Sequence, residues 1–329
     1  MLTQFVKACH REIISQPPVW LMRQAGRHLP EYRALRDQHD FLEMLTTEEL
    51  IVEVSLQPWR RYQTDAVIVF SDILLLPKVM GMNLMFLEGQ GPKFRKLIAN
   101  EEDLKALKKF EAERDIPFLT GALKKIKKEI GDRAALIGFA GSPWTVASYM
   151  LKDPSTRSGY LLKSCLERLV QETVPYLQAQ IEAGAEAIQI FDSWGGNLKA
   201  KEYAEWSGSY IKEIVQALRP SGVPCILYIK NSRHLLKEML AAGPDVISVG
   251  WETPLEETKK AAEGKAAIQG NFNPHILMQS KPETIAQETQ KMLETMKGYP
   301  GYIANLGHGV LPKTPVENVK AFVDTVQQS

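Results

Sequence analysis

The segment AIQIFDSWGG, residues 187–196, contains the pattern from which the fold class can be predicted. Its first five residues, Ala187–Phe191, form a mainly apolar run that is too short for a helix and too uniformly apolar for a half-exposed strand. Such a run is typical of a strand that is buried on both faces of a parallel sheet. The polar, glycine-rich residues 192–196 follow it and predict a turn.

The same order of apolar run, polar or glycine-rich turn and helical segment recurs along the chain. There are eight such runs: Val19–Met22, Ala66–Phe70, Ala135–Phe139, Ala187–Phe191, Cys225–Ile229, Val246–Val249, Ala266–Gln269 and Tyr302–Leu306. Between them, apolar residues spaced three and four apart predict helices. These helices are expected at Glu48–Tyr62, Phe118–Ile130, Lys163–Ala183, Lys201–Leu218, Ser232–Ala242, Pro282–Met296 and Pro315–Val326.

Eight strands alternating with helices predict an α/β protein with a (β/α)8 TIM barrel. A doubly wound open sheet is the alternative, but no GxGxxG motif follows the first run, where a dinucleotide-binding version would need it. The segment EGQGP contains Gly89 and Gly91 without a helical pattern after it, and we interpret it as a turn. No segment resembles a linker, so residues 1–329 are predicted to form a single domain.

Composition and charge limit the classes of function. The chain has a formal net charge of +1, which argues against a general nucleic-acid or membrane-surface role, since both need a basic excess. Cys9, Cys165 and Cys225 form no CxxC motif, so neither a zinc ribbon nor a disulfide framework is indicated. The first residues contain no signal-peptide core, and no apolar run is long enough to cross a bilayer. These features predict a cytoplasmic protein.

Polar and ionisable residues follow several of the runs, at the end of a barrel where active sites lie. Arg23 and Arg27 flank Gly26 in one loop, and two guanidiniums beside flexible backbone can bind a carboxylate or phosphate. The alternative for each arginine is a surface salt bridge. Asp72 follows the second run, where it is either a base, a metal ligand, a hydrogen-bond acceptor or the N-cap of the next helix. His308 lies between two glycines, either beside a ligand or simply in a turn.

Six stretches resemble the uroporphyrinogen decarboxylase family, in order and over nearly the whole chain. The two signatures are PVWLMRQAGRHLPEYR at 18–33 and IGFAGSPWTVASYML at 137–151. The other matching stretches are VIVFSDILLLPKVMGM, IQIFDSWGG, IQGNFNP and NLGHGVLPKTPVENV. The resemblance implies a homodimeric (β/α)8 barrel that binds a small-molecule tetrapyrrole, uroporphyrinogen. It further implies conversion of the four acetate groups to methyls, giving coproporphyrinogen, with no metal or organic cofactor.

The resemblance also implies roles for particular residues. Arg23 and Asp72 are expected to be catalytic, with Asp72 accepting hydrogen bonds from the pyrrole N–H groups and stabilising a cationic intermediate. Because arginine rarely gives up a proton, the proton donor stays open. The other expected substrate contacts are Arg27 for carboxylates; Gln24, Ala25 and Gly26 in the same loop; Tyr149, Ser193 and His308 for the propionate and acetate arms; and Phe70, Phe139 and Phe191 as apolar wall.

The sequence departs from the family pattern in three places. His28 replaces a usual tyrosine, Asn231 and Ser232 stand where glycine is more usual, and Gly250 replaces an aspartate before the tryptophan. Two alternative functions compete with the decarboxylase. A corrinoid methyltransferase of the same superfamily would use a His-x-Cys zinc motif, which the sequence lacks. A non-enzymatic tetrapyrrole carrier stays open but would leave Asp72 without a purpose.

Overall fold

A parallel sheet of seven strands forms the centre of this computed structural model, which describes residues 2–87, 91–152 and 159–329. Its strand order is β1-β4-β5-β6-β7-β8-β9, and every neighbouring pair is parallel, with Ile190 of β5 opposite Leu227 of β6. A separate antiparallel pair, β2-β3, lies outside it. The strands are β1 (Ala66–Ile68), β2 (Leu84–Leu87), β3 (Gly91–Phe94), β4 (Ala135–Gly141), β5 (Ala187–Asp192), β6 (Cys225–Ile229), β7 (Val246–Ser248), β8 (Ala267–Gln269) and β9 (Tyr302–Ile303).

Helices connect successive strands of the sheet. They are α1 (Gln4–Cys9), α2 (Pro30–Gln38), α3 (Phe41–Thr46), α4 (Glu48–Tyr62), α5 (Leu75–Val79), α6 (Glu101–Lys105), α7 (Ala112–Asp115), α8 (Pro117–Ile130), α9 (Pro143–Met150), α10 (Tyr160–Glu182), α11 (Ala200–Tyr203), α12 (Ser209–Leu218), α13 (Leu236–Ala241), α14 (Leu255–Ala262), α15 (Pro274–Gln279), α16 (Pro282–Met296) and α17 (Val316–Gln327). Within the described residues, no helix is both long and apolar enough to span a membrane.

Seven of the eight predicted runs are confirmed as strands of the parallel sheet, although the strands predicted at Ala66–Phe70 and Tyr302–Leu306 end earlier, at Ile68 and Ile303. Every residue of β4 is buried, as the uniformly apolar pattern predicts for a strand covered on both faces. On the outside, α12 buries Ile211, Ile214 and Val215, which follow the three-and-four spacing seen in the sequence. The core is therefore made by apolar strands in the centre and by one apolar face of each covering helix.

The first predicted run, Val19–Met22, is wrong in its extent, because only Val19 makes a parallel bridge, to Ala304. The N–H of Leu21 donates to the side-chain oxygen of Gln24, and that of Met22 donates to Oδ1 of Asn305, so neither is available to a neighbouring strand. Residues 18–20 nevertheless form hydrogen bonds next to both edge strands of the sheet, β9 and β1. Ala304 N donates to Pro18 O (2.9 Å), and Asp65 N, just before β1, donates to Val19 O (2.8 Å).

Two further local predictions differ from the structure. Gly91 is not in a turn but begins β3, while Gly89 lies outside the described residues. The helix predicted at Lys201–Leu218 is interrupted by a π-helical turn at Ala204–Gly208. This turn carries Ser207, whose hydroxyl donates to the buried carboxylate of Asp192, and π-helical turns of this kind are frequent at functional sites.

Candidate active site

Arg23 connects the loops that follow the first and last strand segments. It adopts a left-handed backbone conformation (φ 58°), which is uncommon for a residue other than glycine. Its side chain lies against Gly309, where a methyl group would come within 2.4 Å of Cδ of Arg23. Val310 N also donates to Met22 O (2.9 Å). The glycine after His308 is therefore required by the close approach of Arg23, which makes these two loops one surface.

His308 is half-buried beside this arginine. Gly309 N donates to Nδ1 of His308 (2.6 Å), so this ring nitrogen is an acceptor and carries no proton. Burial, chiefly, and the positive charges of Arg23, Lys230 and His275 together lower the pKa of His308 to about 4. The imidazole is therefore neutral at physiological pH, and it can donate a hydrogen bond to a ligand from Nε2.

Asp72 lies in the loop after β1, where the charge of Arg23 affects its pKa. Its Oδ1 accepts a hydrogen bond from Leu74 N (2.8 Å), whereas the N-cap of α5 is Leu74 itself. Burial raises the pKa of Asp72, and the Leu74 N–H and the Arg23 charge act in the opposite direction. Among the described residues, no hydrogen bond to Oδ2 of Asp72 is present. The carboxylate is thus fixed by one oxygen while the other can accept hydrogen bonds from a ligand.

Asp192 is the structural anchor of the loop that carries Ser193. It is fully buried, and its Oδ1 accepts hydrogen bonds from Ser142 Oγ (2.7 Å), Thr145 Oγ1 (2.7 Å) and Gly195 N (3.1 Å). Its Oδ2 accepts from Ser207 Oγ (2.7 Å). Burial raises the pKa of Asp192, and these donors oppose the rise. The carboxylate therefore joins α9, the loop after β5 and the π-helical turn into one unit.

Aromatic rings form a continuous row across the sheet beside Arg23. Phe139 contacts Phe191 (5.3 Å between centroids), Phe191 contacts Tyr228 (5.9 Å), and Tyr228 contacts His308 (6.4 Å). Trp251 extends the row on the other side of His308, at 6.1 Å. These edge-to-face and tilted contacts build a rigid apolar wall next to the charged groups.

The remaining predicted residues lie in other surroundings. Phe70 belongs to a second aromatic group, with Tyr32 at 6.1 Å and Phe41 at 5.8 Å. Arg27 is exposed. Burial raises the pKa of Tyr32, and the positive charges of Arg36 and Arg27 act against this rise, which associates Arg27 with the side of the site where Tyr32 lies.

Tyr149 and Ser193 are half-buried, and Tyr149 contacts Trp194 at 6.1 Å. Gln24 is fully buried, and its amide bonds to Leu21 N and Ala66 O. Ala25 and Gly26 are half-buried in the same loop. The structure therefore brings Arg23, Asp72, His308, Phe139 and Phe191 into one neighbourhood, and places Phe70 and Arg27 in a second one.

Sequence reasoning missed Tyr228, Lys230 and Trp251. Tyr228 is part of the aromatic row, and Lys230 is close enough to His308 to affect its pKa. The sequence contained a signal for Tyr228 and Lys230. Side chains alternate along a strand, so one of the last two residues of Cys225–Ile229 faces the site, and Lys230 directly follows the strand. No sequence signal places Trp251 against His308, since this contact joins loops 57 positions apart that meet only in the folded chain.

His28, one of the departures from the family pattern, is a buried neutral residue. It is 3% exposed and stacks on Tyr62, with ring centroids 6.2 Å apart. Its Nε2 forms no hydrogen bond with the described residues. The pKa of His28 is lowered to about 4, chiefly by burial and also by the charges of Arg61 and Arg33, while Glu31 acts in the opposite direction.

The stability of the protein should consequently fall in acid because of His28. Between pH 6.5 and about 4, the unfolded chain binds a proton at this position that the folded chain does not, so stability is lost as the pH falls. His28→Phe keeps the stacking and removes the titration. The free energy of unfolding of His28→Phe, relative to that of the unsubstituted protein, should increase by about 2–3 kcal/mol between pH 7 and pH 4.5. Denaturant unfolding at both pH values measures this increase. The control is His10→Phe, at an exposed histidine, which should show no such increase. If His28→Phe also showed none, His28 would not be a buried neutral histidine.

The described residues contain no group of three or more His, Cys, Asp or Glu side chains that could hold a metal ion. All three cysteines are free and buried. Burial raises the pKa of each thiol, which keeps it protonated and makes it a poor metal ligand or nucleophile.

Comparison with known protein families gives a match over nearly the whole chain. Residues 2–329 match the family described as Uroporphyrinogen decarboxylase (URO-D). Curated relatives with this name include those of Alcanivorax borkumensis, 40% identical over 98% of this chain and 96% of the relative, and Acinetobacter baylyi, 42% identical over 99% and 96%.

Solved structures show the fold of the chain. A methyltransferase from Methanosarcina mazei superposes with a TM-score of 0.83, covering 100% of this chain and 99% of the other, at 22% identity. A B12-independent methionine synthase from a Shewanella species gives a TM-score of 0.61 over 95% and 96%, at 12% identity. At these identities the likeness concerns the fold alone.

Proposed function

The chain belongs to the uroporphyrinogen decarboxylase family, and we propose that it removes the four acetate carboxyl groups of uroporphyrinogen III in haem biosynthesis. The products are coproporphyrinogen III and CO2, which makes the protein a carboxy-lyase. The observation that carries this proposal is the family match over residues 2–329, which includes the loops where Arg23, Asp72 and His308 come together.

The chemistry of each step requires a temporary electron sink. Protonation of a pyrrole ring at carbon gives a cation, which accepts the electron pair of the breaking bond as CO2 leaves the acetate. A second proton then adds to the resulting methylene carbon to give the methyl group, and the first proton leaves the ring. The net change for each arm is the loss of CO2 and the uptake of one proton.

Asp72 supplies the negative charge that this cation needs. The hydrogen bond from Leu74 N to Oδ1 fixes the carboxylate in a local turn. Its Oδ2 can then accept hydrogen bonds from the pyrrole N–H groups at the centre of the macrocycle. A fixed carboxylate in a site from which water is partly excluded stabilises a cation more strongly than a solvated carboxylate does. Asp72 therefore acts chiefly in the transition state.

The carboxylate arms of the substrate need cations and hydrogen-bond donors around this centre. Arg23, beside Asp72, and Arg27, on the side of Tyr32, would bind arms on different sides of the macrocycle. Neutral His308 would donate from Nε2, and the hydroxyls of Tyr149 and Ser193 would bind further arms. Gln24, with Ala25 and Gly26, would shape the Arg23 loop through its bonds to Leu21 and Ala66. Phe139 and Phe191 would form the apolar wall on one side, and Phe70 on the other.

We also propose that the parallel sheet closes into a full (β/α)8 barrel as one domain. The hydrogen bonds of residues 18–20 to Ala304 on one side and Asp65 on the other support this, because they insert an eighth segment between β9 and β1. A homodimer is proposed from the family resemblance alone, and a cytoplasmic location from the sequence.

Turnover of uroporphyrinogen after exhaustive treatment with a zinc chelator tests this function and its independence of metal. We expect full activity, because the described residues offer no metal-binding group. Formation of coproporphyrinogen and release of CO2 would be measured on the same sample before and after treatment. Loss of activity that zinc restores would contradict a cofactor-free reaction. Absence of turnover in both samples, with tight tetrapyrrole binding, would instead favour a carrier.

A further inference from the structure

Lys230 is a cation at the functional end of the sheet, outside the set of residues that the family resemblance assigns to the substrate. It follows β6 directly, two residues after Tyr228, whose ring contacts those of Phe191 and His308. Its side chain is exposed and forms no ion pair with the described residues. After burial and the charge of Arg23, the positive charge of Lys230 helps to lower the pKa of His308, as expected for a cation at the same end of the sheet.

The backbone of Lys230 is held in a fixed position. A methyl group on Gly196 would lie 1.8 Å from the carbonyl oxygen of Lys230, so the loop that carries Ser193 packs directly on this residue. Asn231 then adopts a left-handed conformation (φ 58°), which asparagine tolerates better than most residues other than glycine. The N–H of the fully buried Ser232 donates to Oε1 of Glu252 (3.1 Å).

Glu252 reaches Ser232 only because residue 250 is glycine. A methyl group on Gly250 would lie 2.3 Å from both carboxylate oxygens of Glu252, so any side chain there would exclude this conformation. Three departures from the family pattern, Asn231, Ser232 and Gly250, therefore form one structural unit. This unit uses the Glu252 carboxylate to fix the loop that begins at Lys230.

We propose that Lys230 binds a carboxylate arm of the substrate and that Glu252 is the positioning residue for its loop. This inference rests on the proposed function, since it assigns one more contact within the same site. The substrate carries many carboxylates, whereas the net charge of the chain is only +1, so an unpaired cation near His308 matters for binding. An ammonium on a flexible stem has three donors and can follow arms whose positions differ from one decarboxylation to the next.

Steady-state kinetics with uroporphyrinogen test the role of Lys230. Lys230→Gln should raise KM about tenfold, as expected for loss of a charge-assisted hydrogen bond, with kcat changed by less than about twofold. Lys230→Arg should restore most of the affinity. The matched control is Lys237→Gln on α13, an exposed lysine outside the site, which should leave KM unchanged. By NMR, Lys230→Gln should raise the pKa of His308, and Lys237→Gln should not.

A double-mutant cycle tests the positioning role of Glu252. Glu252→Ala should raise KM about fivefold when Lys230 is present and have little effect in the Lys230→Gln background, because both changes remove the same contact. If the unsubstituted enzyme is active and Lys230→Gln has an unchanged KM, the inference about Lys230 is overturned while the proposed function is retained. Equal effects of Glu252→Ala in both backgrounds would overturn the positioning role. An inactive unsubstituted protein would overturn the proposed function itself.

Discussion

Asp72→Asn should lower the turnover of uroporphyrinogen about a hundredfold while leaving the fold intact. Asparagine keeps an acceptor oxygen for Leu74 N, so the local turn after β1 should persist. It removes the negative charge that faces the pyrrole cation, and its NH2 group places a donor against the pyrrole N–H donors. Losing one electrostatic stabiliser of a transition state typically costs on the order of 3 kcal/mol.

The chain offers a matched control at the other end of the same strand. Asp65 lies just before β1, and its Oδ2 accepts a hydrogen bond from Val19 N (2.8 Å), much as Asp72 accepts one from Leu74 N. Burial raises the pKa of both carboxyls. Asp65→Asn should keep normal turnover, because no substrate is expected at the amino ends of the strands. Turnover and melting temperature would be measured on the same preparations; near-native turnover in Asp72→Asn would reduce this residue to a turn-forming role.

Asp192→Ala should destabilise the protein by about 4 kcal/mol, since it removes the acceptor of several buried donors at once. The hydroxyls of Ser142, Thr145 and Ser207 and the N–H of Gly195 all donate to this carboxylate. Asp192→Asn should cost much less. Its oxygen can keep the three donors on the Oδ1 side, and its NH2 group can donate to Ser207 Oγ in place of accepting from it.

Denaturant unfolding of these variants measures the difference. The control is Asp245→Ala, which removes a partly buried carboxylate that accepts from one backbone group, Cys225 N (2.8 Å), and should cost about 1 kcal/mol. If Asp192→Ala were no more destabilising than Asp245→Ala, the Asp192 network would not be the anchor of the Ser193 loop.

The parallel sheet is predictable from the sequence because burial on both faces leaves a direct signature in the residues. The predicted strand Cys225–Ile229 has the same bounds in the structure, and so have the helices Glu48–Tyr62 and Pro282–Met296. The predicted strand Val19–Met22 is too long, because Gln24 and Asn305 side chains take up the backbone N–H groups of Leu21 and Met22. One of these partners comes from the far end of the chain, and no local pattern encodes it.

For the site, the order of residues along the chain places Arg23, Asp72 and His308 directly after predicted strands, and this position makes them candidates. Their arrangement depends on contacts that form only in the folded chain. Gly309 is required by the close approach of Arg23, the aromatic row passes through Tyr228 and Trp251, and Gly250 gives room for Glu252. Strand and helix patterns arise from neighbours along the chain, whereas these contacts join loops that are distant in sequence and meet only at the carboxyl ends of the strands.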